Sequence, residues 1–260
     1  MSNNNLPSIL FNAIPKSAGR YCIEALRKGL KLEFSPIGTD MFPQGTLAPV
    51  LAMKFNEGGK ISHGHIDYWW QPKVLLNAYV DRLLVHLRDP RSTTLEFYYH
   101  LLSLKANDWE GSERTGVSWL DLVHPSIKPK KYFELSKEEQ IDVQIENCLP
   151  HMISFVEGWL DAEQDSEFKP KILFTTYKQL VEDEAAFFDE ILDFYAIDKS
   201  LFTHKKFTPK ADENSDIEGE LHYRNAKLEE WREDFTPQQQ EKANKMMPKR
   251  ILERFGWSEK

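Results

Sequence analysis

Short apolar runs alternate with amphipathic stretches along much of this chain. The run SILFNAI, residues 8–14, precedes the segment YCIEALRKGL, in which apolar residues recur at helical spacing. RLLVHL at 82–87 and KILFTTY at 171–177 are further buried-strand patterns, each followed by a helical pattern, and KISHGHI at 60–66 is a fourth candidate strand. Because parallel strands need crossovers, the alternation predicts an α/β fold, a three-layer sandwich with a central, mostly parallel sheet.

Capping residues predict where two of the helices begin. Ser92 is a candidate N-cap after the turn RDPR, and the helix that follows carries aromatic residues suited to packing. Thr236 is a candidate N-cap with Pro237 at the first helical position. The stretch KQLVEDEAAFFDEILDFY is predicted as helical throughout.

Length and composition indicate one domain over residues 1–260. The chain has 260 residues, of which 41% are hydrophobic, so it can bury a substantial core. Residues 106–150 are rich in charge, tryptophan and proline, and we expect helices and loops over the sheet there. Residues 206–225 contain few apolar side chains and are predicted to form a long loop.

Charge and cysteine content narrow the class of function. The formal net charge is -8 and no basic cluster suits nucleic acid, so a bound anion is expected to be small. Cys22 and Cys148 do not form a disulfide framework or a zinc set, and the polar start lacks the pattern of a leader. No apolar run approaches the roughly 18 residues of a membrane span. A cytoplasmic protein is the expectation.

The loop IPKSAGRY, which follows the first predicted strand, has the features of an anion-binding turn. A strand-to-helix turn presents unpaired N–H groups at the positive end of the helix dipole. Lys16 adds a full charge, Ser17 a hydroxyl donor and Gly19 room for close backbone approach. Neither GxxxxGK[ST] nor GxGxxG is present, which disfavours an ordinary nucleotide triphosphatase. By itself the turn also fits a plain structural connection.

Four motifs in order resemble those of the PAPS-dependent sulfotransferases. PKSAGRY is similar to the phosphosulfate-binding loop of that family, and LLVHLRDPRSTTLEFYYHLL resembles its 3′-phosphate strand and helix, with Arg88 at the arginine position. ILFTTYKQLVED resembles the strand and turn whose tyrosine lies near adenine, here Tyr177. YRNAKLEEWREDFT resembles the late element that carries a phosphate-binding arginine and a tryptophan, here Arg224 and Trp231.

The resemblance implies an enzyme that moves a sulfuryl group in line from PAPS to a hydroxyl or amine, releases PAP and requires no metal. It implies that Lys16 stabilises the leaving phosphate and that a histidine some two dozen residues before Arg88 accepts the proton, which favours His65 over His63. It also makes 106–150 the acceptor-side insertion and 206–225 a loop over the cofactor. The implied cofactor-binding residues are Lys16, Ser17, Ala18, Gly19, Arg20, Tyr21, Arg88, Tyr177, Arg224, Asn225 and Ala226.

Some positions depart from the family pattern. Ala18 stands where glycine is usual, Arg20 and Tyr21 where threonines are usual, and Asn225 and Ala226 where lysine and glycine are usual. These changes put side-chain contacts to the cofactor in doubt.

Glu96 is the most consequential departure, because it lies where many members carry a serine that contacts the 3′-phosphate. Either Ser92 or Thr93 supplies that hydroxyl, or Glu96 turns away to pair with an arginine.

The acceptor is not specified by the sequence. His63, Tyr68 and Trp69 are candidates for an acceptor pocket, although aromatic residues beside a strand are also typical of a core. Small molecules, glycans and lipids with a hydroxyl group all remain open as acceptors. Two alternatives to the sulfotransferase remain: a nucleotide-dependent phosphotransferase, and a family member that binds PAP or another nucleotide without catalysis.

Overall fold

A computed structural model describes residues 6–39, 42–43, 45–106, 129–203 and 227–258. Its centre is a five-stranded sheet in the order β2-β3-β1-β4-β5, and neighbouring strands pair in parallel. The strands are β1 (Ile9–Ala13), β2 (Glu33–Phe34), β3 (Lys60–Gly64), β4 (Arg82–Leu87) and β5 (Lys171–Thr176). The predicted α/β class is confirmed.

The middle of the sheet is its most deeply buried part. All five residues of β1 are buried, as are all but the first residue of β4, and these two strands are neighbours in register from Leu10 opposite Leu83 to Ala13 opposite His86. The chain continues from β1 to β2 and β3 on one side of β1 and then returns to β4 on its other side. In open α/β sheets, ligands bind at the carboxyl ends of the strands where the order reverses in this way.

Helices connect the strands and follow them. They are α1 (Gly19–Leu30), α2 (Pro49–Phe55), α3 (Trp70–Tyr79), α4 (Pro90–Ala106), α5 (Pro129–Tyr132), α6 (Lys137–Gln164), α7 (Tyr177–Glu182), α8 (Glu184–Phe194), α9 (Trp231–Asp234), α10 (Pro237–Met246) and α11 (Lys249–Phe255). In α1 the buried residues include Ile23, Leu26 and Leu30, which recur at helical spacing as predicted.

The chain divides into two compact units. The first comprises Met1–Leu87 and Gly158–Ala226 and contains the whole sheet, and the second comprises Arg88–Glu157 and Lys227–Lys260. The prediction of a single domain over 1–260 stays a prediction. Within the second unit, α4 packs against α9.

The predicted helix starts are partly right. Thr236 caps α10 with a reciprocal capping box and Pro237 is its first residue, as expected. Ser92 as an N-cap is wrong, because α4 already begins at Pro90. Asp89 performs the capping: its Oδ1 accepts from the N–H of Arg91 at 2.9 Å.

Two further differences have local causes. The helical stretch after β5 is broken at Asp183, whose side chain caps α8 by accepting from the N–H of Ala186 at 3.0 Å. The short strand β2 was not predicted, because both of its residues are exposed and two residues carry no periodicity.

Several predictions fall on residues that the structure does not describe. These are the loop at 206–225, the site residues Arg224, Asn225 and Ala226, and residues 107–128 of the segment at 106–150. Across the described ranges, no helix combines the length and apolar character needed to cross a membrane.

Candidate functional site

The turn between β1 and α1 holds two non-glycine residues in the left-handed region. Lys16 has φ 62° and Ala18 has φ 67°. Each such residue costs roughly 1–2 kcal/mol, which persists only where the surrounding structure enforces it. No side chain caps α1 and its own first turn contains no acidic residue, so no carboxylate of this helix offsets the positive end of its dipole. This turn is suited to hold an anion.

Ser17 stabilises the turn through both of its polar groups. Its hydroxyl donates to the carbonyl of Ile14 at 2.7 Å, and its own carbonyl lies 2.8 Å from Nε2 of His86. The side chain of Ser17 is buried. The predicted donation from this hydroxyl to a phosphate therefore requires the bond to Ile14 to be given up.

Gly19 is required by packing at the start of α1. A Cβ on this residue would lie 2.9 Å from Nε2 of His63 and 3.2 Å from the Cβ of Ala13. The missing side chain thus lets the helix begin directly against the ends of β1 and β3. This close approach of protein atoms is a structural use of Gly19 that the sequence did not reveal.

The next two residues of α1 point to different surroundings. Arg20 is exposed, so its charge is presented to solvent. The hydroxyl of Tyr21 donates to the carboxylate of Glu184 in the first turn of α8. Tyr21 is therefore engaged with α8.

His65 lies just beyond the end of β3 and contacts the end of β1. Its Nδ1 is 2.6 Å from the carbonyl oxygen of Ala13, the last residue before the anion-binding turn. Because a carbonyl only accepts, Nδ1 carries the proton of this hydrogen bond. In the neutral ring, Nε2 then carries the lone pair, which is the form that a general base needs.

The backbone beside His65 is clamped by a buried amide. Oδ1 of Asn12 accepts from the N–H of Ile66 at 2.7 Å, and Nδ2 of Asn12 donates to the carbonyl of Ile66 at 3.0 Å. Nε1 of Trp159 donates to the same carbonyl at 2.9 Å. These bonds fix the chain next to His65, and a polar residue inside the apolar run of β1 was the sequence signal for them.

His86 is a buried histidine in β4 that the sequence analysis did not select. Nε2 contacts the Ser17 carbonyl, which only accepts, so Nε2 carries the proton and Nδ1 accepts from the hydroxyl of Thr175 at 2.9 Å. Burial lowers the pKa of His86 to about 4 from its ordinary 6.5, with a smaller contribution from the charge of His63, while the bond to Ser17 opposes the shift. The ring is therefore neutral at physiological pH.

The three candidates for an acceptor pocket have distinct surroundings. The ring of His63 lies edge-on to that of His65, with centroids 4.8 Å apart. Tyr68 packs against Trp159, and its hydroxyl donates to Asp165. Burial, with a further contribution from the Asp165 carboxylate, raises the pKa of Tyr68 to about 12. Within the described residues, Nε1 of Trp69 is buried without a hydrogen-bond partner. The acceptor assignment stays a prediction for all three.

Tyr177 is the first residue of α7, directly after β5. Thr176 caps this helix with a reciprocal bond to Gln179, and only 3% of the surface of Tyr177 is exposed. Its expected place near adenine stays a prediction.

In the second unit, Arg88 pairs with Glu96. Nη2 of Arg88 lies 3.3 Å from Oε1 of Glu96 and donates to the carbonyl of Lys227 at 3.1 Å. Of the two alternatives for Glu96, the structure shows pairing with an arginine, and that arginine is the predicted phosphate ligand itself. Arg88 lies just before α4, and Glu96 lies eight residues later, within that helix.

The hydroxyl groups near Arg88 are engaged with the backbone. Ser92 Oγ donates to the carbonyl of Leu228 at 2.9 Å, and Thr93 Oγ1 donates to the carbonyl of Pro90 at 2.9 Å. Arg88 thus binds the carbonyl of Lys227, and Ser92 binds the carbonyl of the next residue, Leu228.

Trp231, at the predicted tryptophan position, is fully buried in the second unit. The guanidinium of Arg91 lies 4.2 Å from the centroid of its ring and that of Arg232 lies 4.4 Å from it. Arg91 is itself anchored by Asp89, at 2.6 Å. These contacts give Trp231 a structural role.

Residues 46–255 match the family model described as the sulfotransferase domain. The chain belongs to the sulfotransferase family. The matched residues include Arg88 and His65, whereas the turn with Lys16 precedes them. No curated protein sequence gives a significant match.

Solved structures of sulfotransferases are similar in fold. The crystal structure of mouse sulfotransferase SULT7A1 complexed with PAP has a TM-score of 0.55 and 15% sequence identity, covering 97% of this chain and 91% of that chain. A sulfotransferase from Alicyclobacillus acidocaldarius has a TM-score of 0.42 and 12% identity, covering 78% of this chain and 86% of that chain. The first of these supports the α/β fold.

Proposed function

We propose that this sulfotransferase moves a sulfuryl group from PAPS to a hydroxyl or amine of a small-molecule, glycan or lipid acceptor in the cytoplasm, with His65 as base. The observation that carries the proposal is the contact of 2.6 Å between Nδ1 of His65 and the Ala13 carbonyl. It leaves the basic nitrogen of the neutral ring at Nε2, beside the strand end that leads into the anion-binding turn. A histidine with another tautomer would be unsuited to accept a proton there.

The donor set of the turn fits the phosphosulfate end of PAPS. The turn has Lys16 and Ala18 in the left-handed region and leads into a helix without a side-chain cap, so it offers several backbone N–H donors. The ammonium group of Lys16 adds one positive charge. The half-buried position of Lys16 strengthens its electrostatic effect relative to water. When bound, PAPS supplies the activated sulfuryl group.

The residues of the chain then have separate tasks. Lys16 stabilises the negative charge that develops on the leaving phosphate, and the backbone N–H groups at the start of α1 orient that phosphate. Nε2 of His65 accepts the proton of the acceptor, while Nδ1–H and the Ala13 carbonyl hold the ring in place. Arg88 is the proposed ligand of the 3′-phosphate, because a guanidinium matches phosphate geometry.

A second candidate, binding of PAP or another nucleotide without transfer, is favoured by the pairing of Arg88 with Glu96. A carboxylate 3.3 Å from the guanidinium competes with a phosphate for the same donors. In this alternative the chain would serve as a nucleotide sensor. Binding with no turnover on any acceptor would support it.

Calorimetry with PAP and with ATP tests the proposal, followed by transfer from labelled PAPS to a panel of phenols, alcohols and amines. We expect PAP to bind more tightly than ATP and at least one acceptor to be sulfated. Lys16→Ala should weaken PAP binding and slow transfer, whereas Lys171→Ala, an exposed lysine at the opposite end of the strands, should change neither. Tighter binding of ATP would point instead to a phosphotransferase.

A further inference from the structure

We infer that His86 is a positioning residue that sets the conformation of the anion-binding turn by holding the Ser17 carbonyl inside the sheet. This inference deepens the proposed function and rests on it for the identity of the bound nucleotide. The observation that supports this inference is separate from those that support the proposed function, since it concerns a residue of β4 and not of the turn itself.

The first step is the location of Ser17 between the two strained residues of the turn. Lys16 and Ala18 both have positive φ, and Ser17 between them must be held in place for these two strained conformations to persist. Nε2–H of His86 donates to the Ser17 carbonyl at 2.8 Å and directs that oxygen into the protein. Consecutive N–H groups on the far side of such a turn then face outward, as an anion-binding concavity requires.

The second step is the rigidity of His86 itself. Its ring lies in β4, the neighbour of β1, and the rings of Phe11 and Phe187 lie 5.4 Å from it by centroid. Nδ1 accepts from Thr175 on β5, so the ring is fixed on both nitrogens. An imidazole of fixed tautomer on a central strand is therefore a stiff spacer between the sheet and the turn.

The third step is that the Ser17 hydroxyl cannot substitute for this bond. It donates its only proton to Ile14, and the side chain is buried. The Ser17 carbonyl is anchored by the bond from Nε2–H of His86. Loss of the imidazole would leave a buried carbonyl without its donor and would release the strain of Lys16 and Ala18.

The experiment compares His86→Leu with His86→Gln. Leucine fills similar space without a donor, whereas the glutamine amide can donate from about the position of Nε2. We expect His86→Leu to weaken PAP binding by about tenfold or more and His86→Gln to recover most of that loss, both measured by calorimetry well below the unfolding temperature. Hydrogen exchange of the amides in residues 14–21 should accelerate in His86→Leu, with or without nucleotide.

Tyr195→Phe is the control for general destabilisation. Tyr195 directly follows α8, and its buried hydroxyl bonds the N–H and the carbonyl of Leu10 in β1, each at 3.2 Å, away from the turn. This variant should unfold at a lower temperature yet bind PAP as the parent does. If His86→Leu also binds PAP within threefold of the parent and its turn amides exchange at the parent rate, His86 is merely a core residue and the inference is wrong.

The outcomes distinguish this inference from the proposed function. If the parent chain fails to bind PAP, the proposed function fails. The exchange rates of the turn amides still decide the role of His86, because they need no ligand: acceleration in His86→Leu supports it and unchanged rates overturn it.

Discussion

Glu96 Oε1 lies 3.3 Å from Nη2 of Arg88, and both side chains are nearly buried. The pair makes one contact of moderate length in place of the two parallel bonds that a guanidinium can form with a carboxylate. A phosphate that binds Arg88 must therefore either displace Glu96 or share the guanidinium with it. Glu96 would then compete with that phosphate for Arg88.

Glu96→Ser should tighten PAP binding by about tenfold, because it removes a negative charge beside the proposed 3′-phosphate ligand and adds a hydroxyl donor. Calorimetry measures this directly. Glu253→Ser removes the same charge from an exposed position on α11 and should leave affinity unchanged. Weaker binding by Glu96→Ser would show that the carboxylate supports the site by orienting Arg88.

His65→Asn should lower kcat by about 10²–10⁴-fold with little change in PAP affinity, since the base is lost. The asparagine Nδ2 can still donate to the Ala13 carbonyl, so the variant retains the hydrogen bond that holds the side chain. His151→Asn, a substitution on α6, is the matched control and should retain parent activity. Parent-like turnover by His65→Asn would remove this residue from the base role.

Gly19→Ala should destabilise the fold by about 1–3 kcal/mol, because the new methyl group overlaps His63 and Ala13. The companion substitution is Gly158→Ala within α6, where the Cβ finds ordinary contact with Tyr68 at 3.4 Å. That change should be neutral or stabilising, since alanine favours a helix interior. Urea unfolding of both variants measures the difference in unfolding free energy. Equal stability of the two variants would mean that the ends of β1 and β3 shift to accommodate the new methyl group at little cost.

Acid should destabilise the fold through His86. Its pKa is about 4 in the folded state and 6.5 ordinarily, so between these values the unfolded chain binds a proton that the folded chain does not. The contribution of neutral His86 to the unfolding free energy is complete above pH 6.5 and is lost as the pH falls toward 4. Between pH 7 and pH 5 the parent should lose about 2 kcal/mol more of its unfolding free energy than His86→Leu loses. Urea unfolding at the two pH values measures these losses, and an equal loss in the parent and in His86→Leu would contradict the prediction.

Much of the fold was accessible from the sequence because buried parallel strands are continuous apolar runs. The run at 82–87 and the observed β4 coincide, and the helix after the first strand was found from Ile23 and Leu26. The start of α4 was misplaced because Ser92 and Asp89 are both good capping residues, and only the backbone path decides between them.

The site was less accessible, since its details depend on contacts between distant segments. The resemblance to the sulfotransferases favoured His65, but the tautomer of this histidine follows from the Ala13 carbonyl, 52 positions away. His86 and Asn12 were hidden within apolar runs, where a polar residue was the only sign of a buried hydrogen-bond network. The pairing of Glu96 with an arginine was one of two alternatives, and the observed contact identifies Arg88 as the partner.

The position of Trp231 between two guanidinium groups gives the chain an internal optical reporter. Trp231 is one of seven tryptophans, and it follows Lys227 and Leu228, whose carbonyls bond Arg88 and Ser92. Its emission depends on the nearby charges of Arg91 and Arg232. A nucleotide that draws Arg88 away from the Lys227 carbonyl and so shifts this segment would alter the fluorescence without any attached dye. Comparison with a Trp231→Phe variant would isolate that signal from the other six indoles.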